Sequence, residues 1–426
     1  MIVVAIVHYR HIYVEIFIKE YCTWQRRKKV NSMNIGIIDA ELIGKSKHRF
    51  PNLCCMKISA FHKNIGDSVN LVLDYNDIEK YDLVYISKVF IKTNIPYEPI
   101  NKEKTEQNCI DYYKNNPILN LPNVRYGGTG FFYDKAPALP YHIEHIMPDY
   151  HLYDEWINGR VGSEFKMYKD YSIGFLTRGC FRKCDFCVNK KYNKCIRSSL
   201  SSEFIDPTRK KICLLDDNFF AYDRWKEIIT ELKAYNKPFL FKQGLDERLL
   251  TTDKIKEMAS WKYDGDWIFA FDNIADKDII IKNLTLINDI VPNKRNKRFY
   301  VFCGYDRNNT YDNNFWIRDI KELFERIKLL KQHNALPYIM RHENYNKSPF
   351  KVIYNSVAAW CNQPAMFRKF DFNTFYQCRC MGNKYSKYKR DIEGYLNDGN
   401  KKTSTWKFID KFKEQYKEIH DGYFYI

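Results

Sequence analysis

Along most of the chain, short apolar runs alternate with longer segments whose apolar residues recur every three or four positions. The first of these runs, Asn34–Asp39, predicts a strand, and Met56–Lys63 predicts a helix. Two further apolar runs, Val69–Leu73 and Leu83–Ser87, predict two more strands. Strands separated in this way by helical segments are typical of a small parallel sheet.

A longer series of the same kind begins at Tyr171. Amphipathic helices fit between several of its strands, at Asp223–Tyr235, Thr252–Trp261 and Phe315–His333. The expected fold class is therefore α/β, with a partial (β/α)6 TIM-like barrel preceded by a small Rossmann-like parallel-sheet domain. The six predicted barrel strands are Tyr171–Leu176, Lys211–Leu215, Phe239–Gln243, Trp267–Phe271, Phe299–Cys303 and Tyr338–Arg341.

Each predicted barrel strand ends in polar residues. Loops at the carboxyl ends of barrel strands carry the chemistry of such folds, so this recurrence favours a ligand site. The alternative for Asp217 or Asp272 taken singly is that the residue caps the helix that follows. The polar groups after the second to sixth strands are Asp216-Asp217-Asn218, Gln243 with Asp246 and Arg248, Asp272-Asn273, Gly304-Tyr305-Asp306, and Arg341-His342-Glu343.

These patterns divide the chain into four segments. Residues 1–32 are interpreted as an N-terminal extension and start-site artefact, and residues 33–165 as the Rossmann-like domain with a connector. Residues 166–345 hold the predicted barrel, and residues 346–426 form a helical, aromatic-rich tail. An apolar stripe on the last predicted helix, Trp406–Ile419, is expected to pack on the barrel.

Composition adds expectations about location and partners. The 426 residues suffice for two or three domains, and no apolar run approaches the ~20 residues of a membrane span. Thirteen scattered cysteines indicate a reducing, cytoplasmic environment. The formal net charge is +17, and ten basic residues face three acidic ones between Arg178 and Lys211. This excess permits a polyanionic partner, with a solvated loop as the equal alternative.

Three of the cysteines stand together as Cys180, Cys184 and Cys187, spaced C-x3-C-x2-C. Three thiolates this close suit a metal or cluster held from a loop. One alternative is a buried helix face, which Gly179 and the charged residues between the cysteines disfavour. Another is a zinc site completed by Cys195 or Cys213, although neither forms a second close cysteine pair. Three ligands also leave one iron of a four-iron cluster open for chemistry.

With Phe186 directly before the last cysteine, this run resembles the C-x3-C-x-aromatic-C signature of the radical S-adenosylmethionine (SAM) enzymes. The resemblance implies that Cys180, Cys184 and Cys187 ligate three irons of a [4Fe–4S] cluster. The amino and carboxylate groups of SAM would chelate the fourth iron, with Phe186 packing near the adenine.

The family's other SAM contacts fall at the strand ends. Asp216 and Asp217 stand where the family often has Gly-Gly-Glu, and Asp272 and Asn273 stand where ribose contacts are usual. After the third strand, Gln243 and Arg248 are the candidates, and Arg248 could pair with the SAM carboxylate as a planar fork. The family's G-x-I-x-G-x-x-E pattern on the fifth strand is not evident.

Two further cofactors are raised by the same resemblance. Some cobalamin domains carry D-x-H-x-x-G after their first strand, and here Glu41 stands where the cobalt-ligating histidine would be, in Asp39–Gly44. A carboxylate is a poor replacement for imidazole, which weakens the case for cobalamin without removing it. In the tail, Cys361, Cys378 and Cys380 leave an auxiliary cluster open.

The implied function is reductive cleavage of SAM to a 5′-deoxyadenosyl radical that acts on an unidentified substrate. Such an enzyme needs a one-electron reductant, flavodoxin-like or ferredoxin-like, and no membrane. The alternative hypothesis is a basic, zinc-stabilised nucleic-acid-binding protein without radical chemistry. The residues do not select among nucleic-acid, peptide and small-molecule substrates, and they identify no catalytic side chain beyond the cofactor contacts.

Overall fold

Two compact units make up the chain, and the division between them falls between Lys169 and Asp170. The computed structural model describes residues 32–99, 104–189, 191–292, 297–389 and 391–426. Apart from Ser32, the predicted N-terminal extension lies outside the described residues.

The N-terminal unit is built on a four-stranded parallel sheet. Its strands β1 (Asn34–Asp39), β2 (Ser68–Leu71) and β3 (Leu83–Ser87) confirm the three predicted strands. A fourth strand, β4 (Val124–Gly127), was not predicted, because only its first residue is buried and no apolar run marks it. The strands lie in the order β2-β1-β3-β4. β2 therefore pairs with one edge of β1, and β3 followed by β4 extends the sheet from the other edge.

One long helix and several single turns complete this unit. Helix α1, Leu53–Asn64, starts earlier than predicted because the Asn52 side chain accepts hydrogen bonds from the N–H groups of Cys54 (3.1 Å) and Cys55 (3.4 Å). The shorter helices are α2 (Cys109–Tyr112), α3 (Thr129–Phe132), α4 (Tyr141–Glu144), α5 (Asp154–Ile157) and α6 (Lys166–Asp170), with 3₁₀ turns at Ile78–Lys80, Tyr133–Lys135 and Ser163–Phe165.

Apolar clusters cover both faces of this sheet. Ile35 and Ile37 of β1 pack with residues of α1 on one face, whereas Ile38, Val84 and Ile86 pack on the other. Burial on both faces is the usual environment of parallel strands and explains their continuous apolar runs. It leaves the carboxyl ends of β1 and β3 as the part of the sheet where polar side chains gather.

The C-terminal unit contains the six strands predicted for the barrel, with ends that differ by a few residues. A short antiparallel pair, β6 with β7, was not predicted. The strands are β5 (Tyr171–Gly174), β6 (Thr177–Arg178), β7 (Ile196–Arg197), β8 (Lys211–Leu214), β9 (Phe239–Phe241), β10 (Trp267–Ala270), β11 (Lys297–Cys303) and β12 (Leu336–Arg341).

These strands form two three-stranded parallel sheets, ordered β5-β8-β9 and β10-β11-β12. Between the sheets, Phe239 bridges to Tyr263, and the Leu245 N–H donates to the Ile268 carbonyl (2.8 Å). The parallel α/β character of the prediction is thus observed, with the six strands divided between two sheets.

Helices pack on these sheets around one apolar core, which also includes the helices after β12. Trp406, Ile409 and Phe412 of the last predicted helix are buried in that core. No helix in the described ranges is long and apolar enough to cross a membrane.

The helices of the C-terminal unit are α7 (Trp225–Ala234), α8 (Thr252–Ala259), α9 (Lys277–Ile290), α10 (Asn313–Gln332), α11 (Lys351–Cys361), α12 (Pro364–Lys369), α13 (Phe372–Met381), α14 (Tyr385–Tyr388), α15 (Ile392–Asn397), α16 (Ser404–Gln415) and α17 (Lys417–Tyr423). The 3₁₀ turns are Ser201–Glu203, Phe219–Ala221, Glu247–Leu249, Ile274–Asp276, Glu343–Lys347 and Gly382–Lys384.

Candidate cysteine-loop site

The three clustered cysteines lie in a loop at the carboxyl end of β5, between β6 and β7. Pairing of Thr177 with Arg197 and of Arg178 with Ile196 closes the base of this loop. Gly179 begins the loop at φ +95°, where a Cβ would lie 2.4 Å from the Lys194 carbonyl oxygen. The loop therefore requires glycine directly before Cys180.

The three cysteine sulfurs are half-buried, and two of them accept hydrogen bonds from N–H groups. The Cys180 sulfur accepts from the Arg182 N–H (3.4 Å) and from the Asn218 side-chain amide (3.2 Å), and the Cys187 sulfur accepts from the Asn189 N–H (3.4 Å). Donors aimed at sulfur stabilise the thiolate form that ligates metals. The loop thus presents its thiols in a polar environment rather than in an apolar core.

The Cys184 thiol shows which charges converge here. Burial raises its pKa, the neighbouring Cys187 raises it further, and the Arg248 guanidinium acts in the opposite direction. Asp272 and Cys180 are the other groups that act on it. The structure therefore brings residues from the first, third and fourth predicted strand ends close to this one thiol.

In the part of the chain that the structure describes, no group of three or more His, Cys, Asp or Glu side chains is arranged to hold a metal ion. A single zinc with 2.3 Å bonds would need its cysteine sulfurs about 3.8 Å apart. In a four-iron cluster each cysteine sulfur binds a different iron and the sulfurs lie farther apart. At the cysteine loop, the described residues therefore hold no preformed single-metal site.

Cys195 and Cys213, the two candidates for a fourth zinc ligand, are both buried. Burial raises the pKa of Cys195 to about 11, although Thr177 hydrogen-bonds to it. Burial also raises the pKa of Cys213, which lies within β8. Both thiols therefore favour the neutral form, as the Cys184 thiol does, so these pKa shifts do not separate a zinc site from a cluster site.

Asp216 and Asp217 anchor the start of the cysteine loop. Asp216 is fully buried, and its two oxygens accept from the N–H groups of Leu176 (3.1 Å) and Thr177 (2.7 Å) and from the Thr177 hydroxyl (2.6 Å). Burial raises the pKa of this carboxyl to about 6 despite those donors. Asp217 accepts from the Gly179 N–H (2.7 Å). The structure therefore places Asp216 as a support of the loop rather than as an open ligand-binding carboxylate, and it places Asp217 beside Cys180 rather than at a helix cap.

Asp246 connects the cysteine loop to the end of β9. It accepts hydrogen bonds from the Arg182 guanidinium, from Arg248 Nε (2.8 Å) and from the Asn218 amide (3.2 Å). Burial alone would raise its pKa, but the hydrogen bonds and charges of Arg248 and Arg182 outweigh burial and lower it. Arg248 also reaches Asp276 (3.0 Å), so its guanidinium is already paired on two sides.

Two side chains that the sequence did not single out as ligand contacts, Asn218 of the second strand end and Glu247, have buried atoms with no hydrogen-bond partner among the described residues. These atoms are Asn218 Oδ1 and both carboxylate oxygens of Glu247, with Arg248 Nε 3.8 Å from Glu247 Oε1. Burial raises the pKa of Glu247 to about 8. The one available sequence signal was position, because Asn218 follows the same strand as Asp216 and Glu247 adjoins Arg248.

Asp272 and Asn273 have different roles at the end of β10. Asp272 accepts from the Phe302 N–H (3.0 Å) and thereby joins β10 to β11, whereas Asn273 caps the Ile274–Asp276 turn through the Ala275 N–H (3.0 Å). Burial raises the pKa of Asp272, and Arg326 acts in the opposite direction. The capping alternative thus holds for Asn273 and not for Asp272.

Phe186 packs against two aromatic rings at the end of β11, one of which also contacts His342 after β12. Its ring centroid lies 4.3 Å from that of Phe302 and 6.1 Å from that of Tyr305, and Tyr305 lies 5.1 Å from His342. Gln243, by contrast, is exposed directly after β9, and no hydrogen bond joins it to these residues in the described ranges. The structure therefore gathers most of the predicted residues around the loop and leaves Gln243 aside.

The N-terminal unit does not fit a histidine-ligated cobalamin. Glu41 is buried, and its carboxylate accepts from the N–H groups of Val89 (3.1 Å) and Phe90 (3.1 Å) and from the Thr93 hydroxyl (2.6 Å). Asp39 accepts from the Tyr153 hydroxyl (2.9 Å). The residues at the end of β1 are thus occupied in holding the following loops.

The tail cysteines show no sign of a common site. Cys361 is buried in the core at the end of α11, and burial raises its pKa well above its ordinary value. Cys378 and Cys380 lie two residues apart on α13, and burial raises the pKa of each. Residues two apart on a helix do not share a face, so the auxiliary cluster gains no support from this arrangement.

No protein-family model and no curated protein matches this chain. Among solved structures, it is similar to the apo, selenomethionine-labelled cobalamin-dependent S-adenosylmethionine radical enzyme OxsB, at 11% identity and a TM-score of 0.35. The likeness covers 73% of this chain and 49% of the other, so this chain spans about half the length of that structure. At this TM-score the likeness is too remote to establish a shared fold.

Proposed function

We propose that this protein is a radical SAM enzyme, with a [4Fe–4S] cluster held by Cys180, Cys184 and Cys187. The observation that carries the proposal is the cysteine loop itself, at the carboxyl end of a parallel strand, with three half-buried thiols of which those of Cys180 and Cys187 accept N–H donors. Three ligands leave one iron open for SAM. When bound, the cluster supplies one electron to the SAM sulfonium, which yields methionine and a 5′-deoxyadenosyl radical.

In this proposal the two three-stranded sheets of the C-terminal unit together form the partial (β/α)6 barrel. The bridge between Phe239 and Tyr263 supports one continuous arrangement of the six strands. Loops at the carboxyl ends of such strands are where barrel enzymes place their chemistry. Domain limits of 33–165 and 166–345, with a tail at 346–426, complete the proposed organisation.

The residues of the site would bind and orient the ligand. Phe186, packed on Phe302, offers an aromatic face for the adenine. Arg248 is within reach of the loop, but its pairing with Asp246 and Asp276 means that a SAM carboxylate would share it with those partners. Asp272 lies on the same side and remains the candidate for the ribose hydroxyls.

The proposed partner is a one-electron reductant of the flavodoxin or ferredoxin kind. The proposed substrate is open, with a polyanion favoured by the ten basic against three acidic residues between Arg178 and Lys211. Exposed residues of the loop such as Phe181 and Lys183 would be among the first that such a partner meets.

The test is formation of 5′-deoxyadenosine by anaerobically reconstituted protein with dithionite and SAM, before and after addition of host cell extract as a source of substrate. We expect product from the wild type and none from Cys180→Ala, Cys184→Ala or Cys187→Ala. Cys54→Ala, a half-buried cysteine of the N-terminal unit, is the matched control and should retain activity. Absence of product from wild-type protein under both conditions would contradict the proposal.

A further inference from the structure

Asn218 is a buried side chain that touches the cysteine loop and leaves one of its own atoms unsatisfied. It lies in the loop after β8, and its side-chain nitrogen donates to Cys180 Sγ (3.2 Å) and to Asp246 Oδ2 (3.2 Å). Its side-chain oxygen is buried with no hydrogen-bond partner in the structure. Only 3% of the residue is exposed, so water does not readily supply one.

The orientation of this amide is set by Asp246. An ionised carboxylate only accepts hydrogen bonds, so the NH2 group of Asn218 must face it. The Arg182 and Arg248 guanidinium groups flank Asp246 and keep it ionised. A flipped amide would set oxygen against oxygen at Asp246 and oxygen against sulfur at Cys180, and both contacts are unfavourable.

A purely structural role explains the geometry less well. An amide used only to pack the loop would have its oxygen satisfied, because a buried acceptor without a partner costs about 1–3 kcal/mol. Here Asp246, held by Arg182 and Arg248, directs the Asn218 nitrogen to the Cys180 sulfur. The fold accepts the energetic cost of leaving Asn218 Oδ1 without a partner. The arrangement favours a role that depends on the N–H to sulfur hydrogen bond.

We propose that Asn218 is a positioning residue that raises the reduction potential of the cluster through its hydrogen bond to the Cys180 ligand sulfur. The inference rests on the proposed function, since it needs the cluster. A hydrogen-bond donor to a ligand sulfur stabilises the more negative, reduced state and raises the potential. Cys180 already accepts one backbone N–H from Arg182, and the Asn218 amide adds the side-chain donor that substitution can remove.

The test is the midpoint potential of the reconstituted cluster, followed by electron paramagnetic resonance in a redox titration without SAM. Asn218→Leu keeps the size of the side chain and removes the donor. We expect its midpoint to fall by about 59 mV, which corresponds to a tenfold change in a one-electron equilibrium. Asn193→Ala, at an exposed asparagine of the same loop, is the control and should leave the midpoint unchanged. An unchanged midpoint in Asn218→Leu at full iron content would overturn the inference.

A second measurement uses the wild-type protein and does not depend on how the variant folds. With asparagine labelled by ¹⁵N in its side-chain amide, pulsed resonance of the reduced cluster should reveal one coupled nitrogen, lost in the control without label. No coupling would overturn the inference. Wild-type protein without iron would instead overturn the proposed function, and with it this inference, so the two failures are distinguishable.

Discussion

The carboxyl ends of the parallel strands differ between the two units in how completely their polar groups are satisfied. In the N-terminal unit, Asp39 and Glu41 are buried and their carboxylates accept hydrogen bonds from neighbouring groups. In the C-terminal unit, Asn218 and Glu247 are also buried, yet three of their oxygens lack hydrogen-bond partners among the described residues. Because each such atom costs about 1–3 kcal/mol, a bound ligand can relieve a larger cost here than in the N-terminal unit, where the buried Tyr75 hydroxyl also lacks a partner.

The loops that follow these strands differ in the same way. In the N-terminal unit, Glu41 fixes the backbone of Val89 and Phe90, and Lys88 is fully buried with its ammonium group on the Tyr113 hydroxyl. In the C-terminal unit, carboxylates hold the backbone at the start of the cysteine loop and the Arg182 side chain within it, and its thiols remain half-buried. Equivalent positions in two parallel sheets thus serve stability in one unit and accessibility in the other.

The largest expected effect comes from Asp246→Ala, which removes the carboxylate shared by Arg182, Arg248 and Asn218. Because Arg182 loses its carboxylate partner and Arg248 keeps only its hydrogen bond to Asp276, we expect the free energy of unfolding to fall by about 2–4 kcal/mol. The cysteine loop should loosen as well, and iron bound after reconstitution should fall at least about tenfold. Thermal denaturation and iron analysis measure the two effects. Full iron content in a folded variant would show that this network does not organise the loop.

Glu41→Ala is the counterpart in the N-terminal unit. Loss of three hydrogen bonds to a buried carboxylate should cost about 2–3 kcal/mol of stability. Iron content should stay at the wild-type level, because the residue serves only its own unit. Glu41→Gln keeps an acceptor for the two backbone N–H groups and should recover part of the stability. If Glu41→Ala lost its iron, the contrast between the units would fail.

Glu247→Gln should stabilise the protein in alkaline solution. The folded-state pKa of Glu247 is raised to about 8 from an ordinary 4.5, so between these values the folded state binds more protons than the unfolded state. Wild-type stability therefore falls as pH rises from 4.5 to 8, and above pH 8 the variant should be more stable by about 2–4 kcal/mol. Denaturant titrations at pH 5 and pH 9 measure the difference. Glu414→Gln, at an exposed position, is the control and should show no such dependence.

Lys88 should contribute a pH dependence of the free energy of unfolding that is opposite in sign to that of Glu247 and smaller, and Lys88→Met should remove it. Burial lowers the pKa of Lys88 to about 7 from an ordinary 10.5, so between these values the unfolded state binds more protons. The contribution of Lys88 to wild-type stability therefore rises with pH from 7 to 10.5, and Lys88→Met should remove that rise, about 1–3 kcal/mol. The same titrations at pH 7 and pH 10 test it. A slope equal to that of the wild type would mean that Lys88 is ionised in the folded state.

Much of the C-terminal unit was predictable because its strands are continuous apolar runs. Trp267–Ala270 and Phe239–Phe241 are examples, and their buried residues alternate with half-buried ones. The strand β4 was missed because Val124 is its one buried residue. Hydrophobic patterning reports burial, so a strand without it gives no signal.

The sequence predicted which residues lie around the cysteine loop better than it predicted what each side chain does there. Cysteine spacing identified the loop, and polar strand ends identified Asp246, Arg248 and Asp272 as its neighbours. The sequence could not show that Asp216 has both oxygens occupied, because that depends on the backbone of Leu176 and Thr177. Nor could it separate Asn218 from an ordinary capping asparagine, since the two differ only in the group that the amide faces.

The most direct test of the account is the metal content and spectrum of protein purified and reconstituted without oxygen. We predict about four irons and four sulfides per chain, and a resonance signal of the reduced cluster that changes when SAM is added, because SAM would occupy the open iron. Cys180→Ala should lose both the iron and the signal, whereas Cys54→Ala should keep them. One zinc per chain with no iron, or a four-iron signal that SAM leaves unchanged, would contradict the central claim.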